Sequence, residues 1–172
     1  MNDYKSRLKN ITTFVFDCDG VLTDGKILFT DDGQKITNGY VRDGYVLQLA
    51  KKKGYLIAVI SGGLTPGMKF RFDFFEIEHY LGVENKKTTF LDFVKKNNLT
   101  FDEILFMGDD IPDYEVMQLA GVATCPADAC SDIKKITHYI SPYKGGEGCV
   151  RDVVEQVLRA KNQWMDEDAF SW

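Results

Sequence analysis

Residues 11–25 read Ile11-Thr12-Thr13-Phe14-Val15-Phe16-Asp17-Cys18-Asp19-Gly20-Val21-Leu22-Thr23-Asp24-Gly25, and this stretch decides the fold. Every residue from Ile11 to Phe16 is β-branched or aromatic, which predicts a buried strand that stops at an acidic turn. Similar runs recur at Tyr55–Ile60 and Glu103–Met107, with shorter ones at Gly121–Thr124 and Thr137–Ile140. Helical patterns lie between and after them, at about 43–53, 66–75, 86–97, 112–120 and 149–161. In the last, Val150, Val153, Val154, Val157 and Leu158 form one apolar stripe. Strands alternating with helices predict an α/β fold, a three-layer Rossmann-like parallel sheet with helices on both faces. Residues 26–40 break the rhythm: two β-like runs flank Asp31-Asp32-Gly33, which predicts a hairpin. In an open parallel sheet ligands bind at the carboxyl ends of the strands, so this insertion should overhang the site.

The chain has 172 residues, the size of a single domain spanning 1–172. Lys and Arg number 21 against 26 Asp and Glu, a net charge of −5, which argues against nucleic acid as a partner. No apolar run approaches the roughly 20 residues that cross a bilayer, and no secretory segment opens the chain, so a cytoplasmic protein is expected. Cys18, Cys125, Cys130 and Cys149 lack zinc-site spacing and read as small apolar residues in a reducing compartment. The tail, residues 163–172, carries Trp164, Phe170 and Trp172. Free aromatics are costly, so the tail is expected to dock, with another subunit as the candidate surface.

Three strand ends supply polar groups suited to chemistry. Asp17 and Asp19 alternate after a buried strand. An Asx turn would explain the Asp-Gly pair, but two like charges at the mouth of an apolar strand repel unless a cation reconciles them. Ser61-Gly62-Gly63 offers a hydroxyl and backbone amides that suit phosphate, although a flexible connection would use the same glycines. Asp109, Asp110 and Asp113 surround Pro112, and capping a helix needs only one acid. Hard oxygen ligands of this kind favour magnesium. Lys86, alone, would be read as a solvated surface lysine.

The order of these motifs carries more than any one of them. Asp17-Cys18-Asp19-Gly20-Val21-Leu22-Thr23-Asp24-Gly25, Ser61-Gly62, Lys86 and Gly108-Asp109-Asp110 resemble the haloacid dehalogenase superfamily. Adding Val41-Arg42-Asp43-Gly44, Asn85-Lys86 and Gly145-Gly146-Glu147-Gly148-Cys149-Val150-Arg151, the chain is similar over about residues 11–158 to the 3-deoxy-D-manno-octulosonate 8-phosphate phosphatases. The resemblance implies a small hairpin instead of a large cap, and a homotetramer in which hairpins and tails meet neighbours. It implies lipopolysaccharide precursor synthesis and a phosphorylated sugar acid as substrate, with nine-carbon 2-keto acid phosphates as the alternative. Asp17 would be the nucleophile and Asp19 the general acid and base. Asp17, the carbonyl of Asp19 and Asp109 would hold magnesium. Ser61, Gly62 and Lys86 would hold the phosphoryl group, with Asp110 or Asp113 orienting metal-bound waters or Lys86. Arg42 and Arg71 are candidates for the substrate carboxylate.

The family usually has Thr-Gly-Arg where this chain has Ser61-Gly62-Gly63, which keeps the hydroxyl and loses a guanidinium at the pocket rim. The segment Met68-Lys69-Phe70-Arg71 is more aromatic than usual. A silent tetramerisation module is a competing reading, yet it would not keep Asp17, Asp19, Lys86 and Asp109 together. A phospho-acceptor signalling domain would place its acid pair adjacent, whereas here the acids alternate.

Overall fold

The computed structural model describes residues 4–171, so Trp172 of the aromatic tail lies outside the described residues. A short helix α1 (Tyr4–Arg7) leads into β1 (Thr13–Phe16). Two short strands, β2 (Leu28–Phe29) and β3 (Lys35–Ile36), pair antiparallel as a hairpin. There follow α2 (Val41–Lys52), β4 (Leu56–Ser61), α3 (Pro66–Phe74), β5 (Glu78–Leu81), α4 (Lys86–Lys96) and β6 (Ile104–Met107). The chain continues through α5 (Tyr114–Leu119), β7 (Val122–Cys125), α6 (Ser131–Ile136), β8 (Tyr139–Ile140) and α7 (Cys149–Ala160).

Six strands form one parallel sheet in the order β5-β4-β1-β6-β7-β8. Alternation along the strands builds two cores. Phe14, Phe16, Ile57, Val59, Leu105 and Met107 face a layer with α2 and α7, while Val15, Ala58, Ile60, Ile104 and Phe106 face residues of α4, α5 and α6. The α7 stripe expected from the sequence is fully buried, each Val or Leu side chain contributing about 1.5–3 kcal/mol of burial. The chain leaves β1 toward β4 and later returns to its other side as β6, so the strand order reverses beside β1, where such sheets bind ligands.

Strand β5 and helix α6 escaped the sequence pattern, as did the single turn of α1. Strand β5 is Glu-His-Tyr-Leu, half-buried at the sheet edge, with no apolar run to mark it. Helix α6 is six residues long and buries only Ile133, too short to show a period. Helix 112–120 is shorter than expected, because a 3-10 turn at Ile111–Asp113 precedes α5.

Within its own chain the tail, described to residue 171, docks on residues of α2 and α7. Trp164 lies between the guanidinium groups of Arg151 and Arg159, at 5.2 and 5.4 Å. Lys53 pairs with both Asp166 and Asp168, and Tyr45 donates to the carbonyl of Ala169. Phe170 stays exposed. No helix among the described residues is long and apolar enough to cross a membrane.

Candidate active site

The ends of β1, β4 and β6 converge. Asp17 follows β1 and its amide donates to the carbonyl of Met107 at 2.9 Å, which ties the first acidic turn to the last residue of β6. Carboxylate oxygens of Asp17, Asp109 and Asp113 lie within 4.8 Å of one another. Gly20 makes this possible. Its φ of +91° suits glycine, and a Cβ there would stand 2.2 Å from Asp109 Oδ2.

One lysine serves the cluster. Asn85 caps α4 by accepting from the Thr88 amide at 3.0 Å, which makes Lys86 the first helical residue. From there its Nζ reaches Asp17 Oδ1 at 2.8 Å and Asp113 Oδ1 at 2.7 Å. Asp113 Oδ2 accepts from the amides of Asp109 and Asp110, at 3.2 and 3.5 Å, so both of its oxygens are engaged in holding the site together.

The electrostatics follow from three acids against one base. Burial, then the neighbouring Asp113, raises the Asp17 carboxyl well above the usual range, with Lys86 opposing. The same two causes push Asp109 up to about 6. Burial also raises Asp113, again against Lys86. Burial pulls the Lys86 ammonium down, but the charges of Asp17 and Asp113 outweigh it and its pKa rises. Asp109 Oδ1 is buried and has no hydrogen-bond partner among the described residues. A buried carboxylate oxygen without a donor, beside two further acids, is the donor set of a divalent cation. Magnesium fits these residues.

Around the cluster, Asp17, Asp19, Ser61, Gly62, Lys86 and Pro112 line a recess of about 410 Å³. A second cavity of about 700 Å³ adjoins it, bounded by Cys18 and Thr23, by hairpin residues 33–39 and by α3 with Arg71. The Arg71 guanidinium tucks under the returning hairpin strand, donating to the Tyr40 carbonyl at 3.4 Å. The structure therefore brings together Asp17, Asp19, Ser61, Gly62, Lys86, Asp109 and Asp113, with Arg71 at the edge.

Two candidates stand apart. Asp110 is exposed and its carboxylate accepts from the Ile111 amide at 2.8 Å, the work of a cap. Arg42 is exposed in a different recess, with Tyr40, Tyr143, Arg151 and Arg159. It sits one residue into α2, whose inward face begins with Asp43 and Gly44. Thr23 was not singled out in the sequence, yet its hydroxyl reaches Asp19 Oδ1 at 3.4 Å. Its only signal was a position four residues past Asp19 within the acidic turn.

No family model matches the chain. A 3-deoxy-D-manno-octulosonate 8-phosphate phosphatase of Escherichia coli is 31% identical over 166 residues, covering 96% of this chain and 88% of the relative. A phosphatase of the same name from Moraxella catarrhalis, solved in complex with magnesium ion, phosphate ion and KDO, superimposes with a TM-score of 0.92 at 32% identity. That match covers 99% of this chain and 97% of the other. A haloacid dehalogenase superfamily (subfamily III A) hydrolase from Legionella pneumophila superimposes with a TM-score of 0.94 at 27% identity, over 99% of this chain and 93% of the other. With its acids, lysine and hairpin on this sheet, the chain belongs to the 3-deoxy-D-manno-octulosonate 8-phosphate phosphatase family of the haloacid dehalogenase superfamily.

Proposed function

We propose that the protein is a magnesium-dependent phosphomonoesterase that hydrolyses 3-deoxy-D-manno-octulosonate 8-phosphate to the free sugar acid and phosphate. The observation that carries this reading is the grouping of Asp17, Asp109 and Asp113 around Lys86 at the strand ends. Asp17 attacks phosphorus and becomes an aspartyl-phosphate, which water then cleaves, so one difficult displacement becomes two easier ones. Asp19 protonates the departing sugar oxygen and then takes a proton from the attacking water. The Ser61 hydroxyl and the Gly62 amide hold phosphoryl oxygens, and Lys86 balances their charge. Asp17, Asp109 and the carbonyl of Asp19 would hold magnesium, which when bound neutralises charge on the transferring group. Asp113 orients Lys86 and braces the turn that carries Asp109. Arg71 meets the substrate carboxylate with its planar fork.

A homotetramer in the cytoplasm belongs to the same reading. The hairpin leaves Leu28 and Phe29 64% and 63% exposed, with Ile27 and Ile36 beside them, an apolar surface that favours self-association. Four free cysteines, three of them buried, suit a reducing compartment.

The test is phosphate release from eight-carbon and nine-carbon 2-keto acid phosphates, side by side with magnesium. The expected outcome is a preference of at least about tenfold in kcat/KM for the eight-carbon ester. A preference for the nine-carbon ester would move the protein to that substrate, and no release from either would overturn the proposal.

A further inference from the structure

We propose that Thr23 and the bare Cα of Gly63 form a clamp that sets the carboxylate of Asp19, making Thr23 a positioning residue for proton transfer. The proposal rests on the reading of Asp19 as the general acid and base.

The argument begins with the valence of one hydroxyl. Thr23 is buried, and its Oγ1 accepts from the amides of Gly20 at 3.3 Å and Gly25 at 3.2 Å. A hydroxyl has two acceptor sites and one proton. With both acceptor sites taken by backbone, the proton is left for Asp19 Oδ1, 3.4 Å away. That distance is long for such a bond, as expected of a catalytic contact that tightens when substrate arrives.

Gly63 bounds the other oxygen. A Cβ at Gly63 would stand 2.4 Å from Asp19 Oδ2, so the carboxylate occupies the space a side chain would need. This is the position where the sequence departs from the Thr-Gly-Arg pattern, so in this chain the Asp19 carboxylate lies where that pattern carries a side chain.

The backbone of Thr23 has its own support. The amide of Gly146 donates to the Val21 carbonyl at 2.9 Å. A Cβ on Gly145 would come within 1.9 Å of the Gly20 carbonyl oxygen and 3.0 Å of that of Thr23. The glycine loop ahead of α7 thus lies flat against the acidic turn and braces it from behind.

The experiment compares Thr23→Val, Thr23→Ser, Gly63→Ala and Asp19→Ala on two esters. 3-Deoxy-D-manno-octulosonate 8-phosphate loses an alkoxide that must be protonated; p-nitrophenyl phosphate loses an anion that leaves without help. Thr23→Val and Gly63→Ala are expected to lower kcat/KM for the sugar phosphate at least about tenfold and to change that for the aryl ester by less than about threefold. Thr23→Ser, which keeps the hydroxyl, should behave as wild type. A merely structural role would depress both esters together. Gly63→Ala keeps the backbone amides of the turn on the Thr23 hydroxyl and presses chiefly on the Asp19 carboxylate, so it decides the matter even where Thr23→Val fails to fold. Equal losses on the two esters, or an unchanged kcat/KM for the sugar phosphate in Gly63→Ala, would overturn the clamp. Asp19→Ala separates the two levels. If it leaves sugar-phosphate turnover intact, the acid-base reading itself fails; if it abolishes turnover while Gly63→Ala does not, only the clamp fails.

Discussion

Lys86 and Asp113, 27 residues apart, meet at 2.7 Å with both side chains buried. One opens α4 and the other precedes α5, so a single ion pair ties two helices across the mouth of the sheet.

Breaking that pair should cost more than a surface bridge would. Asp113→Ala leaves Lys86 with Asp17 as its remaining partner and removes the acceptor for the Asp109 and Asp110 amides. With Asp17 still facing Lys86, the expected loss is about 1–3 kcal/mol, from the two amides left without their acceptor. Urea unfolding measures it, and turnover should fall with it because Lys86 and Asp109 both lose a support. A wild-type urea midpoint with unchanged turnover would contradict the role given to Asp113.

Asp17→Asn should separate stability from chemistry. The charged form of Asp17 is disfavoured by burial and by Asp113, so a neutral amide relieves repulsion while Lys86 keeps Asp113. Without magnesium the variant is expected to melt at or above the wild-type temperature, yet to release no phosphate. Near-wild-type release in the presence of magnesium would remove Asp17 from the role of nucleophile.

Asp109 makes magnesium binding depend on pH. Its folded pKa is raised to about 6 by burial and Asp113. In metal-free protein its contribution to stability is therefore fully present below the unfolded value of about 3.9 and is lost as pH rises through about 6. Magnesium needs the ionised form, so its stabilisation runs the opposite way. The rise in Tm on adding saturating magnesium should be small near pH 5 and grow as pH rises through about 6. A shift that is constant across this range would show that Asp109 is not a ligand.

The tail should matter to the fold of its own chain. Trp164→Ala removes a half-buried ring packed against the core and two cation–π contacts, an expected loss of about 2 kcal/mol. Deleting residues 163–172 should lower Tm further, since Lys53 then loses both Asp166 and Asp168. Calorimetry reads both; an unchanged Tm on deletion would mean the tail adds nothing to its own chain.

Strand and helix were legible wherever a run was long enough to show its period. The β1 and β4 runs announced themselves because parallel strands are apolar on both faces, and α7 because its stripe covers three turns. Strand β5 was not legible, because an edge strand need not be apolar and its pairing with β4 lies in the fold. Among the site residues, Asp17 and Asp109 stood out by type and position, while Lys86 read as a surface lysine until the other motifs were set beside it. Asp110 and Asp113 carry the same chemistry three residues apart, and only the backbone turn at Pro112 decides that one faces solvent and the other the lysine. Arg42 and Arg71 were equal in sequence for the same reason.

What the amino-acid order determined by itself is the alternation of elements and the kinds of group at each strand end, since periodicity and residue chemistry are local properties. What the tertiary structure decided is which groups meet: Asp113 on Lys86, Thr23 on Asp19, the tail on α2 and α7. Those contacts join residues far apart in the chain or set by a single turn's φ, and their geometry exists only once the sheet has brought its strand ends together.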